Sequence, residues 1–262
     1  MRRVTMSHMI LFVAGIALLL SGCIGQDNTS PDDISLIEDG VLIVGTEAQF
    51  PPFEIKAANG VFYGFDIALA EAIADELGLD VRFIDSDFST IIESLNSDKF
   101  DVVISAMTIT EQGKECVNFS DPYFEAGLSI SVPFESDITG LDDLAGKTIG
   151  VQMGTTGDVF ACSLEGVTII RYARIPDAFT EMRNGGIDAI INDDVASRPY
   201  VAQYPGEYRI IEGLLTVEQY GIAVPKDNPR LLDLINDALQ TLRDNGTYDE
   251  IFEEYIVNWS SP

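Results

Sequence analysis

Residues 101–123 read DVVISAMTITEQGKECVNFSDPY. The apolar start of this stretch predicts a strand over 102–105, and Ala106 and Thr108 follow directly after it. Ligands of open α/β sheets sit at the carboxyl ends of strands. The Ala106 carbonyl and Thr108 hydroxyl are therefore placed to accept from an ammonium group, with a turn or cap role as the alternative for Thr108.

Working outward, the same pattern surrounds this strand on both sides. Residues 41–46, VLIVGT, form a short apolar run between glycines that predicts a buried strand. Phe65, Leu69, Ala72, Ile73 and Leu77 recur at helical spacing until Gly78 stops them. A strand over 81–84, a helix over 90–95 and the strand over 102–105 complete the first set. The pattern then restarts, with strands predicted over 147–152, 167–171 and 188–192 and helices opening within GTTGDVFACSL and over 176–183. Strands alternating with helices argue for βαβ units and mainly parallel sheets. Two successive sets argue for an α/β protein of two similar lobes, each with its own sheet. A strand over 220–224 leads back to the first lobe. A helix over 228–244 follows with a stripe of Leu231, Leu232, Leu234, Ile235, Leu239 and Leu242, and a short helix over 248–255 ends the pattern.

The N-terminus reads as an address. Arg2 and Arg3 precede an apolar run over 9–20, and Leu20-Ser21-Gly22-Cys23 follows it. A basic flank, a short apolar core and small residues describe a secretory signal, and the run is short for a membrane span. The Leu-Ser-Gly-Cys ending resembles the lipobox of prokaryotic lipoproteins. That resemblance implies a signal over 1–23, lipid on Cys23, and a protein anchored to the outer face of the cell membrane. The alternative is an uncleaved anchor helix. Residues 24–37 begin with IGQDNTSPDDIS, too polar to support a core, and read as a flexible tether.

Composition excludes several function classes. The formal net charge is −28, from 15 Lys and Arg against 43 Asp and Glu. A phosphate backbone needs cationic contacts, so nucleic acid is not an expected partner. The only histidine is His8, inside the signal. The remainder thus lacks the usual general base, the usual metal ligand and any Ser-His-Asp triad, and neither cofactor nor metal is expected. Cys116 and Cys162 are the cysteines besides Cys23. An extracytoplasmic location would allow a disulfide between them. A bond across two lobes would hinder their opening, so two free thiols are expected.

Residues 101–123 closely resemble the signature of the extracellular solute-binding proteins of family 3, the polar amino-acid type that serve ABC transporters. Its usual form is S-G-M-T-I-T-x-E-R-x-x-x-V-D-F-S-x-P-Y. Ser105, Met107, Thr108, Thr110, Val117, Phe119, Ser120, Pro122 and Tyr123 match it. The resemblance extends over 38–259. It implies the type II periplasmic-binding-protein-like fold, two α/β lobes joined by a two-strand hinge with ligand in the cleft. The expected first lobe is 38–127 with 220–262, and the second is 128–219, with hinge strands near 128–132 and 215–219. Closure around ligand would be a hinge motion. The implied role is a monomeric, non-enzymatic capture protein with a small-molecule ligand and ABC transporter membrane subunits as partners.

The resemblance also implies a set of ligand-binding positions. Glu47 faces the ligand side chain, and Phe50 and Phe88 cover it, where cation–π and dispersion contacts favour a charged head. Taken singly, both aromatics would read as core. Ala106, Met107 and Thr108 form the wall after the third strand. Thr155 and Thr156, in the loop after the strand over 147–152, offer backbone N–H groups to a carboxylate, with a threonine cap as the plain alternative. Asp193 ends D-A-I-I-N-D and would hold an ammonium, and Asp194 would be a helix cap.

Gly113 stands where the family has an arginine that holds the ligand's α-carboxylate. Three readings stay open. In the first, another base, Arg183 or Lys114, assists the Thr155 and Thr156 amides. In the second, the ligand is an amine without a carboxylate. Or Lys114 takes the arginine's place through a one-residue shift. Retention of Glu47 and Asp193 leans toward a cationic ligand. In another class, cyclohexadienyl dehydratases resemble this family, but their acidic substrate wants cations in the cleft. A sensory module is a third reading. The sequence ends at Pro262 without a second span or signalling domain, so sensing would need a separate partner.

Overall fold

The structure, a computed structural model, describes residues 34–259. Cys23, the expected signal and residues 24–33 of the expected tether lie outside the described residues. The first sheet has five strands in the order Asp80–Asp85, Val41–Thr46, Val102–Val103, Ala223–Val224, Asn118–Phe119. The first three run parallel, and Ala223–Val224 is antiparallel to both of its neighbours. The second sheet repeats the plan with Thr168–Tyr172, Thr148–Gln152, Ala189–Asp193, Leu128–Pro133 and Tyr208–Ile210. Here Leu128–Pro133 is the antiparallel strand in fourth place.

The repeated plan has a topological cause. The chain leaves the first lobe along Phe124–Ala126 and returns along Glu218–Tyr220, and these two strands pair antiparallel as Ala126 with Glu218 and Phe124 with Tyr220. Each crossing delivers the chain into the middle of the next sheet against its parallel strands. The hinge expected near 128–132 is therefore displaced. That segment lies inside the second sheet, and the ribbon itself starts at Phe124. The strand expected over 220–224 divides in the same way: Tyr220 ends the ribbon, and only Ala223–Val224 joins the first sheet.

Local chemistry sets the element ends. The helix Phe65–Leu77 buries Phe65, Leu69 and Ile73. It stops where Gly78 takes φ 69°, a left-handed turn that glycine adopts without a Cβ penalty. Asn228 caps the helix Pro229–Asp244 by accepting the Leu231 N–H at 3.3 Å. That helix buries Leu231, Ile235, Leu239 and Leu242, while Leu232 and Leu234 are only half-buried. Two features have no counterpart in the sequence reading. A small sheet of Gln49–Phe50, Glu54–Lys56 and Phe62–Tyr63 closes one end of the first lobe. A helix spans Asp194–Gln203, so Asp194 is its first residue and Asp193 flanks it.

Gly45 lies inside Val41–Thr46, the second strand of the first sheet, and the Phe100 ring packs so closely that an added Cβ would stand 2.5 Å from it. Phe100 is itself buried and has no free direction to move. Gly45→Ala is expected to cost about 1–3 kcal/mol through overpacking, read as a lower urea midpoint with an unchanged m-value.

Candidate functional site

The carboxyl ends of the parallel strands carry a concentrated set of polar groups. Thr46 and Glu47 end or follow one strand, Asp85 another, Gln152 a third and Asp193 a fourth. Between the two sheets lies a cavity of about 740 Å³. Glu47, Phe50, Phe88, Ala106 and Met107 line it from the first lobe. Thr108, Thr155, Thr156 and Asp193 line it as well, so the structure brings all nine expected positions to one space.

Glu47 is buried, and its environment spans the cleft. Gln152 Nε2 of the second lobe donates to Glu47 Oε2 at 3.3 Å. Arg174 Nη1 stands 3.0 Å from Glu47 Oε1, an ion-pair contact whose angle does not make a hydrogen bond. Burial raises the Glu47 pKa to about 7, and the Arg174 charge and the Gln152 amide pull the other way without prevailing. Arg174 also reaches Asp85 at 3.2 Å and Asp87 at 3.6 Å. One guanidinium of the second lobe thus meets three carboxyl groups of the first. The Tyr200 hydroxyl adds a further contact between lobes, donating to the Gln49 carbonyl at 3.3 Å.

Behind Glu47, a chain of buried groups shapes the wall. Ser105 Oγ accepts the Glu47 N–H at 2.9 Å and donates to Glu54 Oε1 at 2.9 Å. Asp66 Oδ2 accepts the Ala106 N–H at 2.6 Å and the Tyr123 hydroxyl at 2.8 Å. Burial raises the Asp66 pKa to about 6 and pushes Glu54 well above the carboxylate range, with each carboxyl acting on the other. Ala106 holds φ 42°, a left-handed conformation that costs a residue with a Cβ. The Asp66 bond to its N–H helps hold it there.

At the opposite wall, Asp193 ends its strand fully buried, and burial raises its pKa to about 7. The Tyr220 hydroxyl draws that value down, but its geometry leaves Asp193 Oδ1 without a hydrogen-bond partner. Close by, Glu218 on the returning hinge strand accepts three hydroxyls. Thr108 of the first lobe donates at 2.8 Å, Thr156 of the second at 2.9 Å, and Thr216 beside the hinge at 2.9 Å. Thr155 caps the helix Thr156–Cys162 by accepting the Asp158 N–H at 3.2 Å. Phe50 is buried against Phe53, with centroids 6.2 Å apart, yet also lines the cavity. Phe88 is half-buried in the first-lobe wall.

A family model described as bacterial extracellular solute-binding proteins, family 3, matches residues 42–258. The chain belongs to that family. It is 34% identical to a probable histidine-binding protein of Neisseria gonorrhoeae, over 92% of each chain. Among solved structures it is similar to a variant of the arginine-binding protein of T. maritima, with a TM-score of 0.79 and 44% identity over 82% of this chain and 95% of the other. It is also similar to an ancestral amino acid-binding protein described as a precursor of cyclohexadienyl dehydratase, with a TM-score of 0.77 and 37% identity over 83% of this chain and 95% of the other. The fold is the two-lobed type II arrangement of such proteins.

Four residues of this family-3 cleft escaped the sequence reading. Gln152 and Arg174 sit at or just past the ends of parallel strands, where the strand-end rule would have flagged them. Glu218 opens the strand Glu218–Tyr220 and Thr216 lies two residues before it, and their partners in the other segments are distant in sequence. The bases proposed to replace the family arginine are elsewhere. Lys114 is exposed and pairs with Glu111 at 2.8 Å, and Arg183 pairs with Glu207 and stacks on Tyr204. Neither lines the cavity. Gly113 does, in the helix Glu111–Cys116. Cys116 and Cys162 are both exposed and unbonded.

Glu47 and Asp193 generate a pH signature. A carboxyl whose folded pKa lies above its unfolded value binds more protons when folded, so stability falls as pH rises between the two values. With both raised from about 4 to about 7, the ligand-free protein is expected to melt several degrees lower at pH 8 than at pH 5. Glu47→Gln and Asp193→Asn should each flatten that slope in calorimetric scans, which a stability set by exposed carboxylates would not show.

Proposed function

We propose that this protein is the extracytoplasmic capture subunit of an ABC importer, closing its two lobes around one small polar solute that bears a cationic amine. One observation carries the reading. Nine positions from both lobes surround one cavity at the strand ends, with an ion pair and hydrogen bonds reaching across it. Such contacts exist only when the lobes are together, and a paired two-strand ribbon is the kind of element that permits hinge motion. The acids in the cavity supply partners for an ammonium group. The names of the relatives point the same way, toward amino acids and their cationic members.

The ligand roles of Glu47, Phe50, Phe88, Ala106, Met107, Thr108, Thr155, Thr156 and Asp193 belong to this proposal. So does the anchor: lipid on Cys23 would hold the protein at the outer face of the membrane, with residues 24–37 as a tether to the importer. A monomer is sufficient, because one chain supplies both walls of the cavity. An enzymatic role like that of cyclohexadienyl dehydratase is the second reading, raised by the similarity to its described precursor. That precursor is itself described as amino acid-binding. An acidic substrate would meet the acids of this cavity with no basic side chain among its lining residues.

Native mass spectrometry of the purified protein is expected to show one bound small molecule per chain, lost in Asp193→Ala while that variant keeps its circular dichroism spectrum. Turnover of arogenate or prephenate by the purified protein would instead establish the enzyme.

A further inference from the structure

We infer that the solute is an organic cation without a carboxylate, a primary amine or diamine with an aliphatic or aromatic body. This rests on the solute-binding reading of the cleft. The cavity wall contains five carboxyl groups, Glu47, Glu54, Glu93, Asp193 and Glu218, and among the described residues that line it there is no lysine, arginine or histidine. Asp193 lines this space, and its Oδ1 is buried without a hydrogen-bond partner. Leaving such an atom unpaired is costly, and a ligand ammonium would satisfy it.

A ligand carboxylate has no comparable partner. Gly113 offers no side chain, and an added Cβ would stand 3.0 Å from both the Phe119 ring and Thr110 Oγ1, so the packing there is already tight. Arg174 lies near Glu47 but is shared among Glu47, Asp85 and Asp87. Three acids consume its charge before any ligand arrives. Backbone donors are the remaining option, and the Gly154 N–H already donates to Asp158 Oδ2 at 3.2 Å and the Thr155 N–H to the Gln152 carbonyl at 3.5 Å, which leaves the Thr156 N–H of that loop. Asp158 is in turn paired with Arg171 at 2.8 Å, so that cation is also taken. A carboxylate entering this cleft would forfeit its hydration without a cationic side chain to replace it.

The rest of the wall suits the body of such a cation. Phe50, Phe88, Phe119 and Phe160 line the cavity with Met107 and Val159. Aromatic faces attract an ammonium and cover its methylenes. Two acid stations, one at Glu47 in the first lobe and one at Asp193 and Glu218 beside the hinge, would allow a diamine to touch both.

Isothermal titration calorimetry on the wild-type protein, with matched pairs, tests the inference: arginine against agmatine, lysine against cadaverine, histidine against histamine. The amine of at least one pair is expected to bind at least about tenfold tighter than its amino acid. Tighter binding of the amino acids would overturn the inference and leave the solute-binding reading standing. Absence of binding by all six would overturn the inference too. Native mass spectrometry would then show whether any solute occupies the chain, and an empty protein would remove the solute-binding reading as well. Gly113→Arg, checked for folding by circular dichroism, should shift preference toward the amino acid by about tenfold or more. A folded variant whose preference is unchanged would also overturn the inference.

Discussion

Four carboxyl groups, Glu47, Glu54, Asp66 and Asp193, are buried in or just behind the walls of the cleft. Among the described residues Arg174 is the one cation in contact with any of them. Taking a carboxylate out of water is expensive unless it is paired, hydrogen-bonded or protonated. Each of the four answers this differently. Glu47 borrows Arg174 and Gln152 from the other lobe. Asp66 collects an N–H and a hydroxyl from its own lobe, and Glu54 leans on Ser105. Asp193 remains short of a partner.

These solutions differ in what they demand of the molecule. The Ser105, Glu54 and Asp66 chain draws its hydrogen bonds from the first lobe alone, whatever the hinge does, so it belongs to the wall, although Glu54 Oε2 and Asp66 Oδ1 have no partner there. It holds Ala106 in its left-handed turn and keeps that stretch of backbone in one shape. Glu47 with Arg174 and Glu218 with Thr156 depend on the lobes standing together. Opening the hinge would break those pairs and return their groups to water. Asp193 lines the cavity with one buried oxygen unpartnered; under the proposed function a cation would satisfy it and would thereby favour the closed lobes.

The hinge itself illustrates how far sequence patterns reach. The family resemblance placed a hinge strand near 128–132, and the residues there do form a strand. Its assignment to the ribbon failed because a strand's partner is not written in its own residues. Leu128–Pro133 finds Ala189–Asp193 and Tyr208–Ile210 within the second sheet, whereas the shorter Phe124–Ala126 meets Glu218–Tyr220. The missed helix Asp194–Gln203 contains Pro199 and a polar start, which weakened its helical pattern. Its packing beside the second sheet outweighs that local preference.

The sequence by itself determined the alternating strands and helices and the two-lobed plan, because strand periodicity is a local property, and the resemblance of its motifs to the family supplied the nine positions around the cavity. It also determined the strongly acidic charge and the glycine at position 113. Only the tertiary structure decided which charges meet. Arg174 and Glu47 are far apart in the chain, as are Glu218 and its partners Thr108 and Thr156, and no spacing rule joins them. The fold likewise decided that Lys114, Arg183 and Arg174 are all committed elsewhere. Whether a cleft holds a free cation depends on the sum of the charges that surround it, and that sum exists only once both lobes and the hinge have brought their residues to one place.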